Sequence, residues 1–170
     1  MSARIATTLR IGAARFRPAS SDDIDALCDL LATLFDIEPD FAFDATRAGK
    51  ALGLLLEDDR SCVFTALHGG EIAGMCSGQI VISTSEGGPA VLIEDVVVNR
   101  KARGLGLGRE LLHAVECWAR ERGASRLQLL ADRNNANGLS FYAHLGWHQT
   151  NLICLRRHPT SGESAQGEHA

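Results

Sequence analysis

A chain of 170 residues matches one domain at the usual allotment of roughly 100 to 200 residues, and its 45% hydrophobic content excludes disorder as the main state. The net charge of −4, from 17 basic and 21 acidic residues, lacks the basic excess of a dedicated nucleic-acid binder. No stretch approaches the roughly 18 uninterrupted apolar residues of a membrane span, and MSARIATTLR lacks the apolar centre of a secretory signal. The expectation is a cytoplasmic chain with no nucleic-acid and no membrane partner. Its five cysteines are odd in number, scattered and without a C-x-x-C pair, so neither a disulfide framework nor a metal site is expected. His144 and His148 have the spacing of a helical metal pair, but Gly146 between them ends the helix that would align them.

In chain order, IGAARF reads as a short opening strand, followed by Pro18 and the capping cluster Ser20, Ser21, Asp22 and Asp23. Ile24, Leu27, Cys28, Leu31 and Leu34 then recur at helical spacing up to about Phe35. DIEPDFAFDATR reads as a loop whose acids, Asp36, Glu38, Asp40 and Asp44, suit either a site for a cationic substrate or, the commoner case, solvated loop charges, and a second helix is expected from about Ala45 to Leu56. CVFTAL and IAGMCSGQIVIST flank HGGE, where two glycines supply the positive φ of a tight hairpin. SEGGPA turns the chain into VLIEDVVV at 91–98, whose five β-branched residues make it a strand. Leu107, Leu111, Leu112, Val115 and Trp118 form the apolar stripe of a long helix that Gly123 ends. RLQLLA reads as a strand, DRNNAN as a loop, GLSFYAHL as a short helix stopped by Gly146, and WHQTNLICL as a last strand. One domain is expected over 1–157, with 158–170 a disordered tail.

Charge is unevenly spread: residues 99–133 hold eight basic and four acidic side chains, whereas residues 61–98 hold four acids and no Lys or Arg. At the start of the basic segment stands Arg103-Gly104-Leu105-Gly106-Leu107-Gly108, between the valine run and the long helix. Glycines bend the backbone and leave no Cβ to block a ligand, so N–H groups at a helix start can converge on phosphate oxygens. Arg103 adds a planar donor fork, and Arg100, Lys101 and Arg109 raise the local potential, which suits a pyrophosphate. The P-loop pattern is absent, because no Gly-Lys-Ser or Gly-Lys-Thr occurs. A dinucleotide fingerprint needs G-x-G-x-x-G directly after a strand, whereas here NRKAR intervenes and the glycines run G-x-G-x-G.

The order strand, [RQ]-x-x-G-x-[GA] turn (Arg103, Gly106, Gly108), amphipathic helix, strand, then N-x-x-[AG]-x-x-[FL]-Y-x-x-[LF]-G-[FWY] resembles the GNAT superfamily of acetyl-CoA-dependent N-acetyltransferases. Asn135, Gly138, Phe141, Tyr142, Leu145, Gly146 and Trp147 meet the second pattern. The resemblance spans roughly residues 12–155. It implies an α/β (α+β) fold: a mixed, mostly antiparallel central sheet, splayed between its fourth and fifth strands and flanked by helices on both faces. It implies acetyl-CoA as co-substrate, with pantetheine amides on the backbone of Val96, Val97 and Val98 and the pyrophosphate on Arg103, Gly104, Leu105, Gly106, Leu107, Gly108 and Arg109. It places Asn135 against the cofactor and Tyr142 near the thioester sulfur.

The chemistry implied is transfer of acetyl to a primary amine by direct attack in a ternary complex. An alkyl ammonium with pKa near ~10.4 must lose a proton first. Glu94 is the candidate base, since the family often carries one on this strand, and Asp95 is expected on the opposite face because strand side chains alternate. A backbone N–H of Val96–Val98 supplies a donor to the oxygen of the tetrahedral intermediate, and Tyr142 donates toward the departing thiolate. VLIEDVVV also looks like the matching strand of glucosamine-phosphate N-acetyltransferases, but few basic residues precede Glu94 to hold a phosphorylated sugar. Gly74-Met75-Cys76-Ser77-Gly78 spells an elbow-like G-x-C-x-G but runs into QIVIST rather than a helix. The alternative is a non-catalytic acyl-CoA-binding sensor or interaction module. The acceptor stays open among small metabolite, antibiotic, peptide N-terminus and protein lysine, and NLICL offers a strand for pairing across a homodimer.

Overall fold

The computed structural model describes residues 9–11, 13–36 and 42–159. Its strands pair in chain order into one sheet: β1 (Leu9–Ile11), β2 (Ala14–Pro18), β3 (Ser61–His68), β4 (Glu71–Ser83), β5 (Gly88–Val98) and β6 (Leu127–Leu129). Neighbours from β1 to β5 are antiparallel, and β5 with β6 is parallel. Among the described residues four α-helices accompany them: α1 (Ile24–Phe35), α2 (Ala45–Glu57), α3 (Leu107–Glu121) and α4 (Ala136–His144). Among the described residues no helix is long and apolar enough to cross a membrane.

Local chemistry accounts for most boundaries. The turn before α1 is tied by Asp23, whose carboxylate accepts from the Ser20 amide and hydroxyl and from both arms of Arg17, at 2.6 and 2.8 Å. Asp44 caps α2 by accepting from the Arg47 amide at 3.0 Å, so this acid of the preceding loop has a structural partner, while Glu38 and Asp40 lie outside the described residues. The β3–β4 hairpin pairs His68 with Glu71 across Gly69 and Gly70, at φ 64° and 90°, the double positive φ that a two-residue turn requires.

Each face of the sheet carries its own core. Against α3, the sheet buries Phe16, Cys76, Val91 and Ile93 with Leu111, Val115 and Trp118. Against α1 and α2 it buries Val63, Met75 and Val97 with Leu27, Leu30, Leu31 and Leu52. Such a fully buried Leu or Ile side chain contributes about 1.5–3 kcal/mol relative to its exposed state. This is the layered fold, helices on both sheet faces, that the motif order implied.

The structure corrects the sequence reading in three elements. The opening strand is a hairpin, with Ile11 paired to Ala14, because the chain folds back within IGAARF. RLQLLA contributes only Leu127–Leu129 as strand, and Leu130 already stands 65% exposed. WHQTNLICL forms no strand: Leu152, Ile153 and Leu155 are exposed, since apolar content creates a strand only where an edge is presented to pair with it. Of the expected tail, residues 160–170 lie outside the described residues.

Candidate active site

β5 and β6 share only three paired positions, Val91–Ile93 with Leu127–Leu129. Past Ile93 the strands part, and Val96, Val97 and Val98 keep β4 partners (Cys76, Met75 and Gly74) on one side only. Among the described residues no strand takes the other edge. The sheet thus opens between the fourth and fifth of the strands read from sequence. A strand edge with no neighbouring strand accepts an extended ligand as an added strand.

At the mouth of this opening lies a cavity of about 880 Å³. Val96, Val97 and Val98 form one wall, and Arg103, Gly104, Gly106, Leu107 and Gly108 another. Asn135 and Tyr142 of the α4 segment close it, with Leu34 of α1 also on its lining. Gly104 and Gly106 sit at φ 79° and 80°, with open space where a Cβ would stand, and Gly106 is the N-cap of α3. The first amides of a helix have no carbonyl within it to bond, and the helix dipole adds positive potential there. The bend is therefore open to an anion. Arg103 is steadied by its Nε, which donates to the Val98 carbonyl at 3.2 Å, holding a guanidinium between strand end and loop.

The α4 wall is built by equally local rules. Asn135 Oδ1 accepts from the Gly138 amide at 2.9 Å, and a Cβ at Gly138 would meet Asn135 Nδ2 at 2.8 Å, which explains the small residue three places after the cap. A Cβ at Gly108 would meet Phe141 Cζ at 3.0 Å, so α3 and α4 approach as closely as a glycine allows. Tyr142 packs between Phe141 and Trp147, with ring centroids 5.2 and 6.1 Å away.

Three of the residues expected at the site do not line this cavity. Leu105 is 54% exposed on the outside of the bend. Arg109 donates to Glu110 at 2.9 Å and borders a second cavity, of about 720 Å³, beside Trp147. Glu94 is exposed, and its carboxylate accepts from Gln79 Nε2 at 2.9 Å. Lining residues outside the expected site are Leu34, Ala102, Asp132, Asn134, Asn137, Gly138 and Phe141. Gly138 and Phe141 stood in the recognised pattern, whereas Leu34 read as one more core residue of α1.

The expected alternation of Glu94 and Asp95 fails as well. Ser77 Oγ donates to Asp95 Oδ2 at 2.7 Å, and Gln79 reaches Glu94. Ser77 and Gln79 are two apart on β4 and share a face, so both acids lie toward that face. The cause is a register shift, with Gly78 opposite Ile93 but Cys76 opposite Val96. Burial raises the Asp95 carboxyl above its ordinary range, against the lowering effect of the Ser77 hydrogen bond, and nearby Glu94 raises it further. Burial likewise pushes the Cys62 thiol up to about 12 and the Cys76 thiol well above its usual value. Neither sulfur is a ready nucleophile at neutral pH. Among the described residues, no group of three or more His, Cys, Asp or Glu is placed to hold a metal ion.

Comparison with known proteins follows the same outline. Streptothricin acetyltransferase of Streptomyces lavendulae is 34% identical over 115 residues, 67% of this chain and 57% of that protein. Aminoalkylphosphonate N-acetyltransferase of Salmonella typhimurium is 30% identical over 136 residues, 80% of this chain and 86% of that protein. N-alpha-acetyltransferase 80 of Mus musculus is 47% identical over 58 residues, 34% of this chain and 17% of that protein. The chain thus spans well under two thirds of the mouse and Streptomyces proteins. A transcriptional regulator from Bacillus halodurans C-125 superposes with a TM-score of 0.74 at 25% identity, over 85% of this chain and 99% of that one. The model of the acetyltransferase (GNAT) family matches residues 24–147, and the chain belongs to that family.

Proposed function

We propose that this chain is an acetyl-CoA-dependent N-acetyltransferase that moves acetyl to a primary amine by direct attack in a ternary complex, without a covalent enzyme intermediate. The observation that carries the reading is one cavity that joins the unpaired edge of Val96–Val98 to the left-handed bend at Gly104 and Gly106. The bend fits a diphosphate: its glycines leave open space, and Arg103 supplies charge beside the N-terminus of α3. When bound, acetyl-CoA supplies an activated thioester. The edge amides of β5 orient the pantetheine arm and donate to charge developing on the thioester oxygen, Tyr142 lies on the wall for the thiolate to leave against, and Asn135 holds the α4 end of the site.

Glu94, tethered by Gln79 on the exposed side of the splay, is proposed to accept the ammonium proton through water, because its carboxylate stands outside the cavity lining. The acceptor is proposed to be a small cationic amine: residues 61–98 carry acids and no Lys or Arg, which offers nothing to a phosphate or phosphonate. We propose one domain over 1–157 in the cytoplasm, with acetyl-CoA as co-substrate and no metal. The testing experiment measures thiol release from acetyl-CoA across an amine library that includes streptothricin. Amine-dependent release that Glu94→Gln cuts by about 10²-fold or more, with acetyl-CoA affinity kept, is the expected result. Acetyl-CoA binding without release for any amine would instead favour the acyl-CoA sensor, a reading that gains weight from the absence of Glu94 from the cavity wall.

A further inference from the structure

Between Ile93 and Val96 the sheet places two residues, Glu94 and Asp95, opposite the single residue Ser77. This is a β-bulge, which leaves one ladder group without its usual partner and reverses the face sequence beyond it. The reversal is visible in the packing. Val91 and Ile93 join the core under α3, and an unbroken strand would send Val97 the same way. Instead Val96 and Val98 join that core, while Val97 packs with Met75 and Leu27 under α1. All three valines line the cavity.

The Ser77 hydroxyl holds this bulge. Its oxygen accepts the Asp95 backbone N–H at 3.1 Å and donates to Asp95 Oδ2 at 2.7 Å, and the side chain is fully buried. Water cannot replace those bonds at such a position without rearrangement. We infer that Ser77 is a positioning residue for the cofactor: by fastening the bulge at Asp95, it fixes which groups of Val96–Val98 the strand turns toward the opening. The inference rests on the proposed acetyl-CoA reading of that cavity. Asp95 acts here as the anchor of the lock, and an amide in its place still accepts the serine hydroxyl and keeps the backbone N–H.

The test compares acetyl-CoA binding by calorimetry and thermal unfolding for wild type, Ser77→Ala, Asp95→Asn and Thr65→Ala. Thr65 is the control, an equally buried hydroxyl that donates to the Arg17 carbonyl at 3.2 Å, away from the cavity. Ser77→Ala is expected to weaken acetyl-CoA at least tenfold and raise its KM by a similar factor, with the acceptor KM within twofold of wild type. Asp95→Asn is expected to stay within about threefold, and Thr65→Ala to lose thermal stability without losing affinity. Equal affinity of wild type and folded Ser77→Ala overturns the inference, as does an equal loss in Thr65→Ala. Should Ser77→Ala not fold, Ser77→Cys keeps the volume with a weaker hydrogen-bonding sulfur, and wild-type affinity there overturns it too. A wild type that does not bind acetyl-CoA overturns the cavity reading and this inference with it, whereas binding insensitive to Ser77 overturns the inference alone.

Discussion

Asp23 shows how one side chain fixes a helix start. Its carboxyl is held below the usual range first by the Arg17 hydrogen bond and further by Ser20 and the Arg17 charge, against the raising effect of burial. A depressed folded pKa stabilises the fold above the unfolded value, about 3.9, and that contribution disappears as pH falls through the folded pKa. Asp23→Asn is therefore expected to cost about 1.5–3 kcal/mol at neutral pH, with the gap to wild type closing below about pH 4 in thermal melts taken from pH 7 to pH 2. A gap that persists unchanged to pH 2 contradicts this. At the bend, Gly106 has φ 80° and open space around its missing Cβ. Gly106→Ala is expected to cost about 1–2 kcal/mol in stability, but to weaken acetyl-CoA more than tenfold, because the new methyl stands where the anion would approach. Calorimetry beside a thermal melt separates the two effects. These glycines were legible in the sequence, because glycine takes that bend without the steric cost a Cβ brings. Glu94 was legible only as a residue type, since its bond to Gln79 and its place off the cavity lining follow from pairing with β4.

Elements whose cause is local were readable in advance. The stripe Leu107, Leu111, Val115 and Trp118 specified α3, with Gly123 and Gly146 ending α3 and α4 at φ 73° and 84°. Strand extents are set by partners, and there the reading slipped: a local fold-back makes a hairpin of the first strand, β6, paired at long range, has only three residues, and the last strand is absent. The alternation rule failed at Glu94 and Asp95 for the same reason, because the extra residue is defined by β4 rather than by β5 itself. The closed end of the splay is likewise held from a distance. Arg126 at the start of β6 donates to Glu86 Oε1 at 3.2 Å and to Ser83 Oγ at 3.3 Å, and Ser125 donates to Glu86 Oε2 at 2.8 Å. Because both charged partners are partly exposed, Arg126→Ala is expected to cost only about 1 kcal/mol, or a Tm lower by about 2–4 °C. A Tm unchanged within error would show that the three β5–β6 pairs hold that end by themselves.

Over the whole molecule, charge and architecture divide the site in two. The basic segment from residue 99 to 133 contains the bend and α3, and the segment from 61 to 98 on the other side carries acids alone. A trianionic or tetra-anionic ligand held at that boundary is expected to bind several-fold more weakly as salt rises from 0.05 to 0.5 M, because exposed charges are screened over about 10 Å at 0.1 M. Salt-independent affinity would argue against a phosphate grip. The glycine bend and the open edge were readable because the residues that form them, Gly104, Gly106 and the valine run, stand together in one recognisable motif. The lining by Leu34 was not, since at its place in the apolar stripe of α1 it reads as one more core residue. The decisive measurement is calorimetric titration of the purified wild-type protein with acetyl-CoA, repeated on Arg103→Ala. Saturable one-to-one binding, weakened at least tenfold in the variant and displaced by free coenzyme A, is the expected result. No saturable binding by wild type, or binding indifferent to Arg103, would contradict the assignment of this cavity.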